Sequence, residues 1–195
     1  MRLISDRISI DETKNFSIVI LGKVERWKES LLLFWVLAWT FCGLVFLSYF
    51  FGDTPYHHDL SMLIMISFWT YFEVRIVKVF FWRRKGFEQI IVKDSAITIT
   101  NSLFSKGKEK VYTLDGINTF DPLPDSSKNF FSFMEDSFWV IGGDRIYFDY
   151  FGKKVVFAKQ ISAEETKKLL QVLNGKLKLS KKEYRKRMKK IEEEL

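Results

Sequence analysis

One cysteine, two histidines and three prolines occur in 195 residues. The single Cys42 excludes an intramolecular disulfide and a cysteine-based metal site. It lies in mid-run among apolar residues and reads as a small packing residue, not a palmitoylated or redox-active thiol. His57 and His58 are adjacent on a short turn, with Asp53 and Asp59 nearby. Neighbouring residues converge poorly on one ion, so neither a metal centre nor a catalytic triad is expected. Gly142-Gly143 lacks the G-x-G-x-x-G frame and precedes no helix, which removes a dinucleotide or phosphate loop. With 47% hydrophobic and 28% charged residues, the chain is neither disordered nor collagen-like nor of low complexity. No catalytic residue, cofactor or small-molecule substrate is therefore expected, and the protein does not read as an enzyme.

Charge is absent from residues 31–51, a run of 21. As a helix it spans about 31 Å, close to the thickness of a hydrocarbon core. Arg26, Trp27, Lys28 and Glu29 precede it, and Tyr49 and Tyr56 mark its far end. It starts late, is long, and has no small-x-small site after it, so a cleavable signal peptide is not expected. A connector at 52–61 opens with the turn signal Gly-Asp-Thr-Pro. A second apolar stretch, 60–82, is interrupted by Glu73, Arg75 and Lys78. It suits either a buried core helix or a returning helix of about 34 Å that tilts and lets its cations snorkel; the turn before it favours the return.

Lysine and arginine are missing from the connector, whereas Lys23, Arg26 and Lys28 precede the first helix and Arg83, Arg84 and Lys85 follow the second. By the positive-inside rule both termini are cytoplasmic. The net charge of +7 lies wholly after residue 82, where 23 basic residues face 16 acidic ones. Such an excess suits a domain beside anionic lipid; nucleic acid is not an expected partner, because no binding motif accompanies the charge.

After Gly86 the pattern shifts to period two. Strands are expected at 87–93, around Ile97 and Ile99, at 110–114, at 117–120, at 138–141, at 146–150 and at 155–158. Ser105-Lys106-Gly107-Lys108, Asp115-Gly116 and Gly152 supply turns. Ser162 and Glu165 form a capping box before Thr166, Leu169, Leu170 and Leu173, and Asn174-Gly175 reads as the helix stop. Residues 16–21 suit a short strand or an interfacial segment. The expected organisation is a segment at 1–30, a transmembrane hairpin at 31–82 (31–51 and 60–82), a cytoplasmic domain at 83–175 and a basic helical tail at 176–195.

Seven antiparallel strands and a closing helix is the order of a pleckstrin-homology (PH) domain. Phe34-Trp35, Trp39-Thr40, Phe68-Trp69-Thr70, Trp82, Gly86, Glu88, and Arg145-Ile146-Tyr147-Phe148-Asp149-Tyr150 through Gly152-Lys153 resemble bacterial two-pass membrane proteins with a cytoplasmic PH-like domain. The resemblance covers roughly residues 30–175. It implies a membrane helical hairpin plus a PH-like β-barrel or sandwich of about seven strands closed by a C-terminal helix, in the bacterial inner membrane. Its motifs are structural and imply no activity. The segment 121–137 and the tail depart from it.

Three groups of residues are candidates for contacts. Glu73 is an intramembrane carboxylate, the kind of residue that marks function by default. Arg75 is about 200° away around the helix and cannot pair with it on one face. Glu73 suits a position under the headgroups, an interhelical or intersubunit contact or, least well, ion transport, since two helices enclose no pathway. Phe130, Phe131, Phe133 and Met134 are more apolar than a solvated loop requires, and suit packing on the sheet or membrane, or docking of a partner. Arg83, Arg84 and Lys85, with Lys181, Lys182, Arg185, Lys186, Arg187, Lys189 and Lys190 of an amphipathic tail, suit solvent or anionic lipid, and the tail suits a protein or nucleic acid less well. The expected function is a non-catalytic integral membrane protein that presents its PH-like domain for protein interaction or assembly. The alternative is an accessory subunit of a larger membrane enzyme or transporter, held through its helices. Expected partners are the bilayer and a membrane or cytoplasmic protein, or a second copy.

Overall fold

A computed structural model describes residues 2–12, 16–52, 60–93, 95–103, 106–124, 137 and 139–193. Three strands come first: β1 (Arg2–Ser5), β2 (Ile8–Asp11) and β3 (Phe16–Leu21). Two long helices follow, α1 (Arg26–Phe51) and α2 (Leu60–Lys85), each of 26 residues. Then come β4 (Phe87–Lys93), β5 (Ala96–Leu103), β6 (Lys106–Thr113), a 3-10 turn at Leu114–Gly116, β7 (Asp121–Pro122), β8 (Asp144–Tyr150) and β9 (Lys153–Lys159). The helix α3 (Ala163–Glu193) ends the described chain.

The strands form a six-stranded sheet in the order β1-β2-β3-β4-β5-β6 and a three-stranded sheet β7-β8-β9. Every neighbouring pair is antiparallel. In the larger sheet, β3 and β4 are paired from Phe16↔Val92 to Leu21↔Phe87, yet both long helices lie between them in sequence. The helical hairpin is thus inserted between two adjacent strands of one sheet.

Period-two burial explains the strands. Ile8 and Ile10 of β2, Phe16, Ile18 and Ile20 of β3, Ile90 and Val92 of β4, and Ile97 and Ile99 of β5 face one core. The smaller sheet adds Phe148 and Phe157, which meet Phe120 edge-on at centroid distances of 5.5 and 5.8 Å. Leu169, Leu173 and Leu177 of α3 cover this aromatic centre at helical spacing. Ser162 and Glu165 make the reciprocal cap: Glu165 N–H donates to Ser162 Oγ at 3.1 Å, and Ser162 N–H to the Glu165 carboxylate at 2.7 Å.

Four sequence expectations change. The sheet domain begins at residue 2, because β3 needs β4 as its hydrogen-bonding neighbour; residues 16–21 are a strand. Residues 139–141 are no strand: Trp139 and Ile141 pack against Leu32, Val79 and Phe80 of the helices, and Phe138 of the expected strand lies outside the described residues. Residues 117–120 contribute a single bridge, Ile117↔Tyr150. Lys106, Gly107 and Lys108 already pair with β5 rather than turning, and Ser105 lies outside the described residues.

The helix also fails to stop at Asn174-Gly175. The Asn174 amide does not cap it but grips the segment before β7: Oδ1 accepts from Phe120 N–H at 2.9 Å and Nδ2 donates to Phe120 O at 2.9 Å. Leu177 and Ser180 are then buried one and two turns on, which outweighs the cost of about 1 kcal/mol for a mid-helix glycine. Gly175 has open space where a Cβ would be. Gly175→Ala should therefore stabilise the protein by about 1 kcal/mol, read as a rise in thermal midpoint; a loss of stability would show that a left-handed helix stop sits there instead.

Candidate functional site: the neck and the helical hairpin

The chain leaves the sheet at Gly22 and returns at Gly86. Gly22 N–H donates to Gly86 O at 2.8 Å, so the two crossings lie side by side. Trp82, 7% exposed, fills the space above them. A Cβ on Gly22 would lie 2.6 Å from Trp82 O, and one on Gly86 would lie 2.5 Å from Trp82 Cε3. Only glycine allows so close an approach.

A collar of polar groups locks this neck. Arg7, from the β1–β2 turn, donates through Nε and Nη2 to Leu21 O, both at 3.1 Å, and through Nη1 to Gln160 O at 3.0 Å. The Gln160 side chain donates to Ser137 O at 3.1 Å and Val140 O at 3.3 Å. Arg83 Nη2 donates to the same Val140 carbonyl at 2.9 Å. The loop so held sets Trp139 edge-on against Trp35, at a centroid distance of 5.7 Å. The base of the helices is thereby joined to the sheet domain by hydrogen bonds and apolar contact on several sides.

Beneath the neck, Glu88 occupies a core position of β4 and is 1% exposed. Its Oε2 accepts from Ala158 N–H at 2.9 Å and Lys159 N–H at 3.2 Å. Ala158 has a φ of 64°, which turns successive amides toward the carboxylate. Glu88 thus latches the larger sheet to the smaller. Burial pushes its pKa up from the ordinary carboxylate value, against the pull of Lys159.

Between the helices the contact is specific. Trp69 packs where Gly43 has no side chain; a Cβ there would fall 1.8 Å from Trp69 Cζ2. The Trp69 indole N–H donates to Trp39 O at 2.9 Å. Thr40 Oγ1 lies 2.7 Å from Glu73 Oε1 and 2.8 Å from Val36 O, and gives its one hydrogen to either. Glu73 and Thr40 lie near the middles of their helices. Glu73 Oε2 and Trp39 Nε1 are buried with no hydrogen-bond partner among the described residues.

The other candidate residues are dispersed. Arg75 reaches Tyr71 Oη at 3.2 Å and stands over that ring, apart from Glu73. Arg83 is a correction: at 2% exposure it is enclosed at the neck and offers nothing to a lipid. Arg84 is exposed, 3.6 Å from Glu29 and over the Phe80 ring, and Lys85 is exposed. Lys181 donates to Ile117 O, while Lys182, Arg185, Lys186 and Arg187 are exposed on α3. Phe130, Phe131, Phe133 and Met134, His57 and His58, and the side chains of Lys189 and Lys190, lie outside the described residues. Among the described residues no group of three His, Cys, Asp or Glu could hold a metal ion.

Sequence reasoning missed Arg7, Gly22, Trp139 and Gln160. Gly22 had a visible signal, since it flanks the first helix as Gly86 flanks the second. The others act through a loop-to-loop register that no local pattern encodes. No family model matches the chain, and no curated protein or solved structure matches it either.

Two predictions follow from these contacts. Glu88 binds its proton more tightly folded than unfolded, so its share of stability falls as pH rises from the ordinary carboxylate range through the raised folded value. Glu88→Gln should abolish that component, and the midpoint difference between variant and wild type should grow with pH across this window. A pH-independent difference would refute the latch as described. In the hairpin, Gly43→Val should disrupt helix pairing more than Thr40→Val, whose cost is about 1 kcal/mol; denaturant titration in detergent micelles would rank the two.

Proposed function

We propose that the chain is a two-pass protein of the bacterial inner membrane with both termini in the cytoplasm. In this reading the strands and α3 form a PH-like domain, and the domain serves protein interaction or assembly without catalysing a reaction. The carrying observation is the insertion of the hairpin between β3 and β4. A tethered domain hangs from one flexible linker, whereas this one is joined to its helices by two adjacent crossings and a hydrogen-bonded collar. Such a joint holds one orientation of the domain relative to the helices, which suits display to a partner.

The membrane assignment rests on length and exposure. Both helices are long and apolar enough to cross a bilayer, and 11% and 0% of their most apolar stretches are buried. A core helix of a soluble protein would be mostly covered. Phe34, Leu37, Phe41, Leu44, Leu60, Ile64 and Phe68 instead face outward at 59% exposure or more, a surface suited to lipid. At about 39 Å each, the helices exceed a hydrocarbon core of about 30 Å. The excess matches the base held by the neck.

The PH-like assignment draws support from strand count. The four strands β3–β6, the three strands β7–β9 and α3 agree in number with the four-plus-three-plus-helix plan of that domain, with β1 and β2 as additions at one edge. The alternative, an accessory or regulatory subunit held through its helices, rests on Glu73 and the aromatic helix faces packing against a partner. Glu73 Oε1 meets Thr40 of its own chain, which removes the more specific of those two supports and leaves the first reading preferred.

With Cys42→Ala as background, Lys182→Cys in spheroplasts should react with an impermeant maleimide only after permeabilisation; labelling of intact cells would reverse the topology. A C-terminally tagged protein, extracted gently, should carry a partner whose retention depends on the sheet domain. Recovery of the bare monomer under all mild extractions would remove the assembly reading.

A further inference from the structure

The end of the sheet domain farthest from the neck combines three features that anchoring does not use. β8 and β9 are joined by Phe151 and Gly152 alone, with Tyr150 paired to Lys153. Both joining residues have positive φ, 46° and 78°, as a type I′ turn requires. Glycine takes that conformation freely, and asparagine readily. A phenylalanine Cβ is strained there.

Burial does not offset the strain, because Phe151 is 76% exposed. The ring is supported from below. A row of edge-on aromatics runs outward from the core through Phe148, Tyr112, Tyr150 and Phe151, with centroid distances of 5.2, 5.1 and 4.7 Å. A strained backbone that holds a large apolar side chain in water points to use.

The third feature is charge. A Cβ on Gly116 would lie 2.9 Å from Phe151 Cε2, so the turn sits against the 3-10 segment. The next residue, Ile117, bridges Tyr150 and accepts a hydrogen bond from Lys181. The helix α3 therefore leaves the sheets beside the Phe151 turn. Its exposed Lys182, Arg185, Lys186 and Arg187 join the exposed Lys153 and Lys154 of β9, alongside the exposed acids Asp115, Asp149 and Glu183.

This pole is remote from the neck. Six residue steps along β8 take Asp144, near the neck, to Tyr150, a distance of about 20 Å. The helix α3 begins beside Arg7 and Gln160 and reaches Lys181 about 27 Å later. A screening length of about 8 Å at physiological salt makes both distances long for attraction to charge at the neck.

We infer that the Phe151 turn and the adjoining basic face of α3 form a docking surface for an acidic polypeptide segment with apolar side chains. The cations complement its carboxylates, and Phe151 supplies a rigid apolar anchor. This rests on the proposal that the domain is an interaction module, and names the chemistry of its partner.

The test uses the full chain in nanodiscs of neutral lipid and a short fluorescent peptide of Glu and Leu. The wild type should bind it with an affinity that falls as salt rises, and should ignore a matched peptide of Ser and Leu. Phe151→Asn should weaken binding about tenfold while raising the thermal midpoint by about 2–4 °C, because asparagine relieves the turn. Arg185→Glu with Lys186→Glu should remove the salt-sensitive part of the affinity.

Unchanged peptide binding in Phe151→Asn would overturn the inference. So would a lowered midpoint, which would make the phenylalanine structural. Stronger binding of the wild type to phosphatidylglycerol vesicles than to the peptide, lost in the double charge reversal, would assign the basic face to lipid instead. A co-purified partner retained by Phe151→Asn would leave the interaction-module reading standing and discard this surface alone.

Discussion

Everything in this molecule depends on two backbones passing within hydrogen-bonding distance at Gly22 and Gly86. A sheet that opens between adjacent strands to emit two helices must bring both crossings to the same point, or β3 and β4 could not stay paired to their ends. Strand neighbours lie about 4.8 Å apart, whereas packed helices lie about 8–10 Å apart. The chain must widen over very few residues. Glycines at both crossings and the flat Trp82 indole over them make that transition possible. Arg7 then satisfies the Leu21 carbonyl at the first crossing, while Arg83 and Gln160 satisfy carbonyls of the loop packed beside it.

Polar groups are buried here in an unusual way for a small domain. Glu88 and Arg83 are both under 9% exposed, and each bonds backbone outside the regular ladders. Ladder hydrogen bonds satisfy the middle of a strand but not the places where sheets, helices and loops meet. At those places a side chain that reaches across supplies the missing donor or acceptor. Glu88 serves two amides of β9 and Asn174 serves Phe120 on both its donor and acceptor. Removing either leaves backbone groups stranded, a cost larger than that of a typical surface bond.

This division explains what the sequence made legible. The uncharged run at 31–51, the alternation of Ile97 and Ile99 and the Ser162–Glu165 cap are local, and each appears where periodicity or spacing puts it. The pairing of 16–21 with 87–93 is not local: the short strand and its partner are separated by both helices, so no window contains the two. At Gly175 a local rule lost to packing, because Leu177 and Ser180 find burial beyond it. Glu73 was legible as a polar residue in an apolar helix, but Thr40 as its neighbour follows only from the register of one helix on the other. The basic residues could be counted but not located: Arg83 is enclosed at the neck while Arg185 stands free.

The inserted hairpin also bears on how the sheet assembles. Closing a flexible loop of about 65 residues costs about 2–3 kcal/mol more than closing a four-residue turn, by the logarithmic dependence of closure entropy on length. That penalty would fall on the β3–β4 pair, which carries the whole centre of the larger sheet. A helical hairpin removes it, because two antiparallel helices locked by Trp69 against Gly43 and by Thr40 against Glu73 already bring their outer ends together. The strands then meet as if joined by a short loop whose geometry the helices have set. The helix–helix contacts thus stabilise the sheet without touching it, and Gly43 and the side chains of Trp69, Thr40 and Glu73 matter to a core that lies beyond the far side of the neck.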